Sequence, residues 1–339
     1  MKTLIVGMGA LGGVIAARLL AAGGSAWLAT RDRASAEALK SSGLHVTGIG
    51  GEARAMPQHI APLEDFQRDR FDVIVLATKA HAAIELGPVL ADCLANGGLL
   101  LPIQNGGVPA MLAERLGENR VLGGLSNLGA TMYAPGVYEQ RNAGHLLIGE
   151  FAGGVSERAE RVKAWLGRGG EIRLSANLRG AMWSKLLLNC SVTTLGAVAG
   201  CTMRQYIDTP DGRRAFRGAY DEALNVALAS GVQPERMLVE PIPPGWHGRS
   251  EPGESYDAWL ATVLANYGDL KPSMLQDFER GKTTEIDFIN GYVAKLGRDL
   301  RVPTPVNAAT TDIVHTIERG ERQPTQMLLG EILRSADSV

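Results

Sequence analysis

Short apolar runs alternate with helix-period stretches through the first half of the chain, and helix-period stretches alone fill the second. The first run, Lys2 to Val6, opens into Gly7-Met8-Gly9-Ala10-Leu11-Gly12 and then a helical pattern of Val14, Ile15, Leu19 and Leu20. Further strand-like runs stand at Ser25–Ala29, Leu44–Val46, Phe71–Ala77, Gly98–Ile103, Val121–Gly124, His145–Gly149 and Glu171–Leu174, with a helical stretch at Glu157–Leu166. Strands that alternate with helices predict a parallel sheet covered on both faces. After about Ser175 the strand signal fades. Helices are predicted over Leu178–Val198, Arg213–Ser230, Tyr256–Tyr267, Ser273–Arg280, Ile286–Leu300 and Pro305–Arg319. The Pro/Gly-rich stretch Gln233–Ser255, with Pro241, Pro243, Pro244 and Pro252, reads as a loop. The expected class is α/β: a doubly wound sheet domain over residues 1–175, then an all-helical domain over 176–339.

Composition narrows this picture only a little. A chain of 339 residues suits two domains. A net charge of -2 gives the surface no overall attraction for nucleic acid or an anionic membrane. The three cysteines, Cys93, Cys190 and Cys201, sit in apolar contexts without CxxC spacing, which suits reduced thiols. Thr3 to Gly24 is apolar, but Arg18 and its glycines interrupt it, and no other run reaches the ~18 apolar residues of a spanning helix. The expectation is a cytoplasmic protein without a membrane or nucleic-acid partner.

The chemistry begins at the first turn. GxGxxG between a strand and a helix is the dinucleotide fingerprint in its required context, which makes the first domain Rossmann-type. Gly7 allows the tight turn, Gly9 lets the backbone approach a pyrophosphate, and Gly12 lets helix and strand pack closely. The helix N-terminus then faces the diphosphate. The second strand ends at Thr30-Arg31. An acid there would hold a ribose 2′-hydroxyl, whereas the fork of Arg31 suits a 2′-phosphate, so NADP is favoured over NAD. A one-residue shift of the boundary would instead make Asp32 the ribose acid. Lys79 and Asn105 also follow buried strands, where ligands of open parallel sheets bind. A surface lysine and a turn-forming Asn-Gly are the plainer readings of these two.

In the second half, Lys185, Asn189 and Thr193 interrupt an apolar helix at i, i+4 and i+8, which places them along one stripe. Such a stripe lines a site, or else Lys185 snorkels to water and Asn189 bonds backbone. Ser273 and Asp277 share a helix face. Thr283 or Thr284 suits a cap, with Glu285 or Asp287 in the following first turn. Gly281-Lys282-Thr283 is not a P-loop, because position 276 is Gln. The six histidines show no metal-ligand spacing.

Taken together, these segments resemble the ketopantoate reductase family over nearly the whole chain. The resemblance rests on GMGALG, Arg31, Lys79 in LATKA, Asn105 in QNGG, WSKLLLNC around Lys185 and Asn189, and SMLQD followed by TEIDFING. It implies an NADPH-dependent reduction of 2-dehydropantoate to pantoate, for coenzyme A synthesis. It also implies Lys185 as general acid and Glu285 as the acid that orients it. Gly7, Met8, Gly9, Ala10, Leu11, Gly12, Arg31, Lys79, Asn105 and Glu285 would hold cofactor. Asn105, Asn189, Thr193 and Ser273 would hold substrate, Ser273 near its carboxylate, and a homodimer is expected. Two positions depart from the family's pattern: Thr193 and Leu270 stand where asparagine is usual. The loop Gln233–Ser255 also looks long. Another 2-oxo or 3-hydroxy acid, or a non-catalytic NADPH sensor, are the alternatives.

Overall fold

The computed structural model describes residues 1–246 and 255–338, which fall into two compact units, Met1–Leu178 and Arg179–Val339. The first unit holds strands β1 (Thr3–Val6), β2 (Trp27–Thr30), β3 (Leu44–Gly48), β4 (Ala53–Ala55), β5 (His59–Pro62), β6 (Phe71–Leu76) and β7 (Leu94–Pro102). Then come β8 (Gly123–Ser126), β9 (Ala130–Ala134), β10 (Val137–Gln140), β11 (Leu146–Gly149) and β12 (Ile172–Ser175). Its helices are α1 (Ala10–Ala21), α2 (Arg33–Ser42), α3 (Ala80–Asp92), α4 (Val108–Leu116) and α5 (Glu157–Leu166).

Five strands form a parallel sheet in the order β5-β2-β1-β6-β7. Every residue of β1 is buried, as an unbroken apolar run in a sheet covered on both faces should be. The chain leaves β1 for β2 on one side and later enters β6 on the other. The switch point of the sheet therefore lies at the carboxyl ends of β1 and β6. The remaining strands do not extend this sheet. β4-β3-β10-β9 make a mixed sheet against α1, and β12-β11-β8 make a third. The runs at Val121 and His145 thus lead into the third sheet, and one bridge, Leu100 to Val121, joins the first to the segment before β8. β3 buries alternate residues, the pattern of a strand with one face on the core, which suits a second layer.

Among the described residues the second unit contains helices and no strand. α6 (Leu178–Leu188) runs into a π turn at Asn189–Thr193 and then α7 (Thr194–Ala199), so the predicted single α-helix is interrupted. α8 (Met203–Tyr206) and α9 (Pro210–Ala229) follow, then α10 (Tyr256–Tyr267) and α11 (Ser273–Glu279). The helix expected over 286–300 is split. A 3-10 turn at Ile286–Phe288 ends at Ile289, whose ψ of -98° breaks the path before α12 (Asn290–Leu300). The break lets Asn290 turn into the core and bond there. α13 (Pro305–Glu318) and α14 (Met327–Ala336) complete the unit around a core that includes Leu187, Leu195, Phe216 and Leu329.

α8 and α14 had no counterpart in the sequence reading. Residues 233–246 carry neither helix nor strand. Tyr220 and Trp259 pin them by donating to the carbonyls of Pro241 and Glu240. The rest of the expected loop, 247–254 with Pro252, lies outside the described residues. No helix among those described is long and apolar enough to cross a membrane.

Candidate active site

In the first unit the site is built at the switch point. Gly7 has φ +99°, and a Cβ there would lie 2.9 Å from Thr78, the residue after the turn out of β6. A Cβ on Gly12 would lie 2.0 Å from the Gly7 carbonyl oxygen, so α1 passes the strand end only without a side chain. A Cβ on Gly9 would meet nothing within 4 Å. Gly9 is also the N-cap of α1, and no side chain caps that first turn. Open space beside uncapped N–H groups at a positive helix end is a cradle of the kind that holds a diphosphate. The backbone of Gly7-Met8-Gly9-Ala10-Leu11-Gly12 therefore fits a dinucleotide.

Tyr138 of β10 supports the cradle from the second sheet. It is fully buried, and its hydroxyl donates to the Met8 carbonyl at 3.2 Å. Its ring fills the space a Cβ on Gly13 would enter. Sequence reasoning missed this residue. Its only trace was the second glycine, Gly13, inside an apolar helix.

β2 ends at Thr30, so Arg31 is the first residue beyond it, with 92 % of its side chain exposed. Asp32 is the N-cap of α2. It accepts the Ser35 N–H at 2.7 Å, and that bond, with Arg31 beside it, brings its pKa down to about 2. Asp32 is thus engaged in capping. Lys79 follows β6 and is exposed at the N-cap of α3. Asn105 follows β7 and is half-buried. The buried Gln104 side chain donates to the Leu76 and Thr78 carbonyls at 2.8 and 2.9 Å, which ties the two strand ends together. A polar residue closing an apolar run was the signal for Gln104.

In the second unit, Lys185, Asn189 and Thr193 are half-buried on a helix whose other positions, Leu188 excepted, are buried from Ala181 to Ala199. Desolvation lowers the Lys185 pKa to about 8, and the Glu285 carboxylate opposes that shift. Glu285 stands at the N-cap of the 3-10 turn. Two bonds fix its neighbours: the Ile286 N–H donates to the Thr284 hydroxyl, and the Thr284 N–H donates to Glu318 at 2.7 Å. His315 joins Glu318 at 2.9 Å to Asp287 at 3.0 Å, closing a clamp on the segment that carries Glu285. Asp287 and His315 are 28 residues apart, so no local spacing announced the clamp. Ser273 is exposed at the first position of α11. Pro272 before it packs against Gly196 of α7, where a Cβ would come within 3.0 Å. Leu270 is 49 % exposed. No group of three or more potential metal ligands occurs among the described residues.

A parallel sheet with a glycine turn at its switch point is the frame of the nucleotide-dependent oxidoreductases, and fold and turn assign the chain to that class. The chain belongs, more narrowly, to the ketopantoate reductase family. The family described as "Ketopantoate reductase PanE/ApbA" matches residues 3–153, and its C-terminal part matches residues 177–318. A 2-dehydropantoate 2-reductase from Mesorhizobium japonicum is 29% identical over 348 aligned positions, covering 94% of this chain and 99% of that one. The solved PanE/ApbA family ketopantoate reductase from Ralstonia eutropha JMP134 is 24% identical, with a TM-score of 0.77, over 95% of this chain and 100% of that one. A D-mandelate dehydrogenase solved with NADH and anilino(oxo)acetate shares the fold at 21% identity and a TM-score of 0.77, over 94% and 99% of the two chains. The protein is a pyridine-nucleotide-dependent oxidoreductase.

Proposed function

We propose that this protein reduces 2-dehydropantoate to pantoate with NADPH, and that Lys185 is the proton donor. A nicotinamide cofactor held by the Gly7–Gly12 turn would supply a hydride to the C2 carbonyl carbon of the substrate. Negative charge then gathers on the carbonyl oxygen. The Lys185 ammonium stabilises that charge and passes its proton to the oxygen, giving the hydroxyl. A pKa of about 8 suits the task, because the group is protonated at neutral pH yet gives up its proton readily. A lysine lowered by burial on an apolar helix, with the Glu285 carboxylate near enough to oppose that shift, is the observation that carries the reading.

The other residues bind and orient. The Gly7–Gly12 backbone takes the diphosphate, and Arg31 takes the 2′-phosphate, since Asp32 is committed to its cap. Lys79, Asn105 and Glu285 serve the cofactor, and Asn105 the substrate as well. Asn189 and Ser273 hold the acid, with Ser273 near its carboxylate. The Thr193 hydroxyl donates to the Asn189 carbonyl at 3.1 Å, so toward a ligand it offers lone pairs and a methyl group. That side chain favours a substrate with a hydroxyl to donate. The departure from the family's usual asparagine at Thr193 keeps a second reading open, the reduction of a different 2-oxo acid. NADPH and NADH oxidation against a panel of 2-oxo acids that includes 2-dehydropantoate tests both. Highest kcat/KM for 2-dehydropantoate with NADPH is the expected result. NADPH binding without turnover of any acid would overturn the enzymatic reading.

A further inference from the structure

The helix that carries Lys185 widens into a π turn at Asn189–Thr193, and its carbonyls are met by an unusual number of side chains. Ser191 donates to Leu187 at 2.7 Å and Thr193 to Asn189 at 3.1 Å. Asn290, from α12, donates to Cys190 at 3.2 Å. Tyr206, from α8, donates to Ser191 at 2.6 Å and also approaches Val192 at 3.5 Å. Tyr206 and Asn290 both have 0% exposure. A π turn replaces i to i+4 pairing with the wider i to i+5 pairing, as from the Thr194 N–H to the Asn189 carbonyl, and side-chain donors from neighbouring helices supplement it where a buried helix cannot draw on water.

The Asn290 donor is itself directed. Glu222 accepts the backbone N–H groups of Val306 and Asn307 at 2.8 and 2.9 Å, and the Asn307 amide nitrogen at 2.8 Å. A carboxylate can only accept, so Asn307 turns its NH₂ to Glu222 and its oxygen to Asn290. Asn290 must then present its own NH₂, 2.9 Å from that oxygen, and the same group reaches the Cys190 carbonyl. A chain of four side-chain and backbone groups thus ends on the turn.

We propose that Tyr206 and Asn290 are positioning residues that hold the π turn open, and so set where Asn189 and Thr193 stand relative to Lys185. The proposal rests on the reading of Asn189 and Thr193 as substrate side chains. If the segment relaxed to a regular α-helix, everything beyond the turn would rotate by about one residue, ~100°, while Lys185 kept its place. Substrate contacts would change and the proton donor would not.

Tyr206→Phe removes the hydroxyl and keeps the ring. Wild type and variant are compared for KM and kcat with 2-dehydropantoate and with a 2-oxo acid lacking the 4-hydroxyl. NADPH affinity and Tm are followed in parallel. The expected result is a KM for 2-dehydropantoate raised about tenfold, a changed preference between the two acids, and NADPH affinity and kcat nearly unmoved. A lowered Tm with unchanged KM and preference would overturn the proposal and leave Tyr206 a framework residue. A fall in kcat at constant KM would overturn it too, since Lys185 would then be what moved. If Tyr206→Phe does not fold, Asn290→Ser is read in the same way, and failure of both to fold overturns the proposal. A wild type inactive on every acid overturns the functional reading itself, an outcome distinct from an active wild type whose variant KM stays put.

Discussion

The glycine turn of the first unit and the interrupted helix of the second are candidate ligand regions made from different parts of the chain. The turn is backbone. Its geometry follows from three missing side chains, its attraction for anions from helix N–H groups, and none of its residues titrates. The helix is side chains on a distorted backbone. Its central property, a lysine with a pKa of about 8, comes from burial, and its shape depends on residues 15 and 100 positions away. A backbone site tolerates change around it so long as its glycines remain. A side-chain site is exposed to every substitution that alters burial or hydrogen bonding nearby.

The contrast is tested hardest at Lys185. Lys185→Ala should lower kcat by about 10²–10⁴, roughly 3–5 kcal/mol of transition-state stabilisation, the usual loss on removing a general acid. Affinity for NADPH should move little, because the glycine turn is untouched. In wild type, kcat should fall as pH rises through about 8, where the ammonium proposed as the donor deprotonates. The variant should lack that limb. Single-turnover hydride transfer, with NADPH binding followed separately by fluorescence, measures both. Near-normal transfer in the variant would remove Lys185 from the mechanism and pass the role to another group, such as Lys79.

Arg31→Asp probes a side chain proposed to join the backbone-built region in holding the cofactor. NADPH affinity should fall about ten- to a hundredfold, ~1.5–3 kcal/mol for charged hydrogen bonds to a phosphate, while NADH affinity changes less. Titration of both dinucleotides into both proteins gives the ratio. Equal affinity of the wild type for NADPH and NADH would show that Arg31 meets no 2′-phosphate.

How far each region could be read from the sequence follows the same division. Gly7, Gly9 and Gly12 act through local geometry at fixed spacing, so six consecutive letters disclosed the turn. β1, β2, β6 and α10 were legible because buried strands and amphipathic helices carry their pattern locally. The stripe Lys185-Asn189-Thr193 was visible at helical spacing, but the π turn inside it was not. That distortion is held by Tyr206 and Asn290, whose partners lie on other helices. Tyr138 and His315 escaped for the same reason. The second and third sheets were hidden because short half-buried strands do not announce which neighbour they pair with. α8 is four residues long, and its Thr202–Gln205 capping box is a weak mark by itself.

Thr193→Asn sharpens the comparison at a smaller scale. The substitution replaces an internally bonded hydroxyl with an amide that can donate to a ligand. The ratio of kcat/KM between 2-dehydropantoate and a 2-oxo acid lacking the 4-hydroxyl should shift about tenfold, the order of one polar contact in a pocket. NADPH affinity should not follow it. An unchanged ratio would show that Thr193 does not face substrate.

The smallest expected effect lies in the His315 clamp, and it has a definite sign. Burial pulls the His315 pKa down, but the hydrogen bond to Glu318 and the charge and hydrogen bond of Asp287 outweigh it, leaving the group above its ordinary 6.5. Both ring nitrogens meet carboxylates, and only the imidazolium can donate to both at once. A pKa raised on folding contributes stability that is complete below 6.5 and is lost as pH rises through the folded value. Burial raises the Glu318 pKa, but the Thr284 N–H and His315 bring it below its ordinary 4.5, so its contribution is present above 4.5 and is lost as pH falls through the folded value. The clamp is therefore strongest between the two ordinary values. Its members are partly exposed and screened, so about 1 kcal/mol, or roughly 2–4 °C in Tm, is the ceiling. His315→Gln should melt below wild type at pH 5.5, and the gap should narrow at pH 9. A gap of the same size at both pH values would mean that the ring acts by packing alone, and that the segment carrying Glu285 is held without its charge.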